Sequence, residues 1–76
     1  MDQNKIVDGM RVRTTEVLYK SDPGVFRVAS KNLDARQANK EGFVLGRLPG
    51  HRGNVWWVKH DDETVGAYLF AEFNAV

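Results

Sequence analysis

The side chains able to do chemistry in this chain are few and thinly grouped. His51 and His60 are the two imidazoles, nine positions apart, and Asp61, Asp62 and Glu63 follow His60 directly. Neighbours on a strand point to opposite faces, so His60, Asp61 and Asp62 do not converge on one ion. Their spacing also matches neither a zinc site nor a calcium loop. The three acids read instead as a solvated turn whose charges repel one another. Ser21 and Ser30 stand in no nucleophile motif, and no phosphate or dinucleotide glycine pattern occurs. Cysteine is absent, which removes disulfides and thiolate chemistry and suits a reducing compartment. The expectation is a protein that is not an enzyme and takes no metal or cofactor.

Binding chemistry is better represented. In Pro49-Gly50-His51-Arg52-Gly53-Asn54 two glycines expose backbone N–H groups. Arg47, His51 and Arg52 add positive charge, a combination suited to a phosphate or carboxylate on a partner. Trp56-Trp57 follows on a β-rich run. If Val58 faces the core, Trp56 and His60 face it too, and Trp57 and Lys59 turn outward. An outward Trp beside basic residues is a candidate interface anchor or base-stacking platform. Cover from the 20–41 segment is the competing expectation for Trp57. Arg11 and Arg13 alternate with Met10, Val12 and Thr14, which places both arginines on the outer face of a first strand.

These residues need a β scaffold. Met1–Lys5 is polar and expected to fray. Ile6 and Val7 are expected to pack on the core before the Asp8-Gly9 turn. Residues 17–20 and 25–29 flank Ser21-Asp22-Pro23-Gly24, a turn signal, and read as a hairpin arm. Residues 33–41 favour helix, with Asn32 or Asp34 as N-cap and Gly42 as C-cap, although Leu33 is the one strong apolar anchor. Residues 43–48 form a second strand in which Gly46 signals a bulge. A third strand covers 55–60 and a fourth covers 64–68. A single helical turn over 69–73 and a last short strand over 74–76 complete the order.

The chain has 76 residues, 42% of them hydrophobic, enough for one domain with a small core. No apolar run reaches the roughly 18 residues of a membrane span, and the N-terminus lacks signal-peptide patterning, so a soluble cytoplasmic protein is expected. Residues 1–59 hold all 11 Lys and Arg against 6 acids, a net of +5; residues 60–76 hold 4 acids and no Lys or Arg. Mutual neutralisation of the two regions in the fold is the simplest expectation.

Gly9-Met10-Arg11-Val12-Arg13, Glu41-Gly42-Phe43-Val44, Val58-Lys59-His60-Asp61-Asp62 and the closing Tyr68–Phe73 stretch carry a resemblance to the SH3-like small β-barrel superfold. That resemblance implies a mainly β, five-stranded barrel with a long excursion after strand 1 and a short helical turn before the last strand. Glu63 stands where the pattern has Gly, which implies a longer or looser turn. The outline is similar to the variable chain of ferredoxin:thioredoxin reductase, a non-catalytic partner packed on a catalytic subunit. KOW-type and Tudor-like barrels, which bind nucleic acid, ribosomal partners or peptides, are also similar. Type II dihydrofolate reductase resembles it in the closing strand, but Val65-Gly66-Ala67-Tyr68 lacks that family's Gln and Ile.

Together these readings give a non-catalytic module that docks on a protein partner or self-associates. Trp57, Lys59, Arg47, Arg52, His51, Arg11 and Arg13 are its candidate binding residues. Single-stranded nucleic acid on the same face is the alternative, and an enzyme site formed across a homo-oligomer is the remote one.

Overall fold

The computed structural model describes residues 2–17, 28–48 and 55–76. One five-stranded antiparallel sheet dominates them: β1 (Arg11–Thr14), β2 (Glu41–Arg47), β3 (Val55–His60), β4 (Val65–Leu69) and β5 (Phe73–Ala75), in the order β4-β3-β2-β1-β5. A short helix, α1 (Ser30–Asp34), precedes β2, and 3-10 turns occupy Gln3–Lys5 and Phe70–Glu72. The fold is mainly β, as expected.

Period-2 alternation places the core. Val12, Val44, Trp56, Val58, Tyr68 and Phe73 bury together on one side of the sheet. Trp56 meets Phe73 edge-on, with ring centroids 6.4 Å apart. Ile6, Met10, Val17 and Phe70 pack around this cluster. A second, smaller cluster joins Leu33 of α1 to Val55 and Ala67 on the other face, with Val28, Leu48, Trp57 and Leu69 against it.

The glycines of β2 serve two purposes. The pairing of β2 with β3 shifts register between Val44 and Gly46, the bulge that Gly46 signalled. Gly42 permits close approach: a Cβ there would lie 2.2 Å from the Lys59 carbonyl oxygen.

Several expectations are corrected. The helix covers 30–34, not 33–41. Residues 37–40 are drawn onto the end of β1 instead, where Thr14 N–H donates to Lys40 O, Asn39 N–H donates to Thr14 O, and Thr14 Oγ1 donates to Gln37 O. Tertiary hydrogen bonds there override local helix propensity. Asn32 does not cap; its amide donates to Val65 O at 2.8 Å and ties α1 to β4. Gly42 lies inside β2 and caps nothing. The N-terminal stretch is turned, with Asp2 accepting from the N–H groups of Asn4 and Lys5. Val7 stays exposed whereas Ile6 packs. The hairpin arm expected around Ser21–Gly24 lies outside the described residues apart from its ends. No described helix is long and apolar enough to cross a membrane.

The 61–64 turn is tight despite Glu63, which takes the left-handed backbone itself at φ 75°. Its acids do not merely repel one another. Asp61 pairs with Arg11, Asp62 with Lys40 and Glu63 with Lys59, while buried Glu72 pairs with Arg36. All four acids of residues 60–76 thus meet cations from residues 1–59.

Candidate binding face

The face of the sheet turned away from the larger cluster carries most of the candidate residues. In β1, Arg11 and Arg13 alternate with buried Val12 and Thr14. Across from them stand Phe43 and Glu41 of β2, and Lys59 of β3 lies opposite Phe43. Arg11, Phe43 and Lys59 therefore form one cross-strand row. Trp57 is two residues along β3 on the same face, paired with Ala67.

Charge on this face is arranged as an alternating chain. Arg13 reaches Glu41 at 2.8 Å, Arg11 reaches Glu41 at 3.4 Å, and the guanidinium of Arg11 grips both carboxylate oxygens of Asp61 at 2.6 Å. In passing, Arg11 lies over the Phe43 ring, 4.8 Å from its centroid. The hydrogen bonds from Arg13 hold Glu41 below the usual carboxylate range, and those from Arg11 do the same for Asp61. The Arg11 guanidinium is correspondingly pushed up, chiefly by its bond to Asp61.

Beyond the chain the face turns apolar. Phe43 is 45% and Leu45 49% exposed, both outward on β2 with buried Val44 between them. Neither stood among the sequence candidates; the outward set was assigned from the basic residues and from Trp57. The alternation Phe43-Val44-Leu45 was the available signal. Trp57 is half-buried, packed beside Leu33, Val55 and Ala67. It lies on the same face as Phe43 and Lys59 and is packed against a cluster to which α1 contributes Leu33.

Arg47 belongs elsewhere. It pairs with Trp56, and its guanidinium lies 5.8 Å from the Trp56 ring centroid, on the opposite side from Trp57 and Lys59. His51 and Arg52 lie outside the described residues. The structure thus brings Arg11, Arg13, Lys59 and Trp57 together and separates Arg47 from them.

A second polar constellation lies inside. Arg36 and Glu72 form an ion pair with both side chains fully buried, and Arg36 also lies 5.7 Å from the Tyr68 ring centroid. Burial lowers the pKa of Arg36, while Glu72 opposes that shift. The other Glu72 oxygen accepts from Leu69 N–H at 2.8 Å, fixing the turn into β5. His60, also buried, sits between Tyr68 and Thr64, with Nε2 2.7 Å from the phenol and Nδ1 2.8 Å from Thr64 Oγ1. Thr64 donates to Asp62 at 2.5 Å, and Lys40 approaches Asp62 at 3.0 Å. These hydrogen bonds, led by that of the Thr64 hydroxyl, hold Asp62 far below the usual carboxylate range. Arg36, Glu72, His60 and Tyr68 are buried, whereas the end formed by Thr64, Asp62 and Lys40 reaches the surface, and the bonds of Tyr68 to Gln37 tie the segment before β2 to β4.

Among the described residues no group of three His, Cys, Asp or Glu side chains gathers as a metal site would require. Comparisons with family models, curated proteins and solved structures return no match for this chain.

Proposed function

We propose that this chain is an SH3-like small barrel that works as a non-catalytic docking module, presenting the outer face of β1, β2 and β3 to a protein surface. One observation carries the reading: Phe43 and Leu45 expose 45% and 49% of their surface side by side on the central strand, against a rim of paired charges. Apolar side chains ringed by polar groups are the usual makeup of an interface core and its rim. The strand order, the long connection between β1 and β2 and the 3-10 turn before β5 support the barrel assignment.

Single-stranded nucleic acid on the same face has weaker support. Such binding needs cations facing the phosphates. Arg11, Arg13 and Lys59 each spend their charge on a neighbouring acid.

The test is a photo-crosslinking amino acid at position 45, with the same group at exposed Asn74 as control, in cells making the protein at its native level. A docking module gives a defined protein adduct from position 45 and none from 74. No adduct from position 45 overturns the reading.

A further inference from the structure

We infer that residues 32–36 form a strap that closes the outer edge of β4, and that the contact it prevents is pairing of that edge with the same edge of a second copy. β4 ends the sheet order, so among the described residues one side of it has no strand beside it. The register decides which backbone groups point to that side. His60 N–H donates to Thr64 O, so Thr64 faces β3. The pairing of β3 with β4 then runs without a shift from Lys59 opposite Val65 to Val55 opposite Leu69. Alternation along an antiparallel ladder turns Gly66 and Tyr68 toward β3, and Val65, Ala67 and Leu69 away from it.

The strap meets those three residues in order. Asn32 donates its amide to Val65 O at 2.8 Å. Leu33 packs in one cluster with Ala67, which is fully buried. Arg36 pairs with Glu72, whose other carboxylate oxygen accepts from Leu69 N–H at 2.8 Å. Asn32 and Glu72 come from different elements, yet both take edge groups of β4 that a neighbouring strand would use. The chain also changes sides of the sheet beside β4. Leu33 belongs to the smaller cluster, whereas Gln37 N–H donates to the hydroxyl of Tyr68, a member of the larger one.

Without the strap this edge is self-complementary. A two-fold axis through Ala67, perpendicular to the sheet, sets Val65 against Leu69 of the other copy and Ala67 against its own counterpart. All three outward residues then gain a strand partner in a closed antiparallel contact. Open edges of this kind template pairing with another chain, and covering them with a helix or loop is one remedy. Here the cover is α1 and the two residues after it, and the buried Arg36–Glu72 pair fastens its far end.

Asn32→Ala tests the inference, because alanine removes the contact with Val65 while favouring the helix. Amide exchange followed by NMR should quicken at Ala67 by about three- to tenfold, the range for one lost hydrogen bond. Gly66 and Tyr68, whose amides face β3, should keep their rates. At about 1 mM, sedimentation equilibrium should show association beyond that of the wild-type chain. Adding Val65→Pro, which removes an edge N–H and spares the pairing with β3, should abolish that gain. Asn32→Asp keeps the shape without the amide donor; it should repeat the effects and serves if the alanine variant fails to fold. Equal acceleration at Ala67, Gly66 and Tyr68 would mean general loosening and overturns the inference. So does a variant no more associated than wild type, or an association indifferent to Val65→Pro. Phe43 and Leu45 take no part in this edge, so the docking reading stands or falls separately.

Discussion

The phenolic oxygen of Tyr68 lies 2.7 Å from Nε2 of His60, the buried end of a hydrogen-bond chain that runs out to exposed Thr64 and Asp62. Thr64 must give its one hydroxyl proton to the Asp62 carboxylate 2.5 Å away, so Thr64 Oγ1 accepts from His60 Nδ1. His60 is therefore the neutral Nδ1–H tautomer, and its Nε2 accepts from Tyr68. Tyr68 in turn accepts from Gln37 N–H at 2.9 Å. Ala35 O at 3.4 Å and Gln37 O at 3.3 Å also lie within reach of the Tyr68 hydroxyl, but Nε2 is its nearest acceptor.

A pH dependence follows with a definite sign. Burial lowers the pKa of His60 from its ordinary 6.5. The unfolded chain therefore takes up a proton at this site before the native state does, and stability falls as pH drops below about 6.5. The slope from one proton cannot exceed about 1.4 kcal/mol per pH unit. Paired Glu41, Asp61 and Asp62, all depressed, add a separate loss below about pH 4.5. On the alkaline side burial pushes the Tyr68 phenol up to about 12, so stability falls again as pH rises past about 10. Urea unfolding from pH 4 to pH 11 should show all three windows, and His60→Gln should flatten the one that opens below about pH 6.5. Nitrogen shifts of His60 that report an Nε2–H tautomer at pH 8 would contradict the chain.

The Arg36–Glu72 pair makes a second prediction. Removing one partner of a buried ion pair strands the other charge, at a cost of about 3–5 kcal/mol. Domains of this size are stable by about that amount. Arg36→Met and Glu72→Gln should each leave the chain largely unfolded at 25 °C by circular dichroism. The double variant removes both charges, and the glutamine carbonyl still accepts from Leu69 N–H. It should be more stable than either single variant. A double variant as unstable as the sum of the two would show that the pair is uncoupled.

Gly42 and Gly46 separate two uses of glycine in one strand. A methyl at Gly42 would collide with the backbone of Lys59 and His60, whereas among the described residues one at Gly46 meets only the Asp8 carboxylate at 3.9 Å. Gly42→Ala should force β2 from β3 and lower the urea midpoint by an amount typical of core overpacking, about 1–3 kcal/mol or more. Gly46→Ala should stay within about 0.5 kcal/mol of wild type. Equal effects would remove the close-approach argument.

Much of this fold was legible because each strand states its own period. Val12, Val44 and Val58 alternate with outward residues, and the register follows from burying them together. Gly46 announced its bulge in the same way. The stretch from Lys31 to Gly42 was not legible as built. Its residues favour helix, but the hydrogen bonds of Thr14 and the burial of Arg36 decide its path, and both are contacts with distant parts of the chain. The face showed the same division. Alternation correctly turned Arg11, Arg13, Lys59 and Trp57 outward. Which cations were already neutralised depended on Glu41 and Asp61 arriving beside them. Arg47 was misgrouped because the bulge before it turns it to the side of Trp56.

Glu63 holds the tight turn between β3 and β4 in a conformation that glycine would take more easily. Its φ of 75° is a left-handed conformation that a residue with a Cβ adopts at about 1 kcal/mol or more. Its compensation is an ion pair with Lys59 at 2.8 Å in which the Glu63 side chain is 78% exposed. Exposed pairs of this kind contribute little and are screened by salt. The strain should therefore outweigh the contact. Glu63→Gly should raise the urea midpoint, by an amount that grows with added salt as the lost ion pair matters less. Glu63→Asn should fall between the two, since Asn tolerates this region better than Glu. Glu63→Val should be the worst, as a β-branched side chain is poorly accommodated there. The order Gly, Asn, Glu, Val in thermal midpoint is the measurement. Glu above Gly at high salt would mean that the turn is held by something other than its backbone.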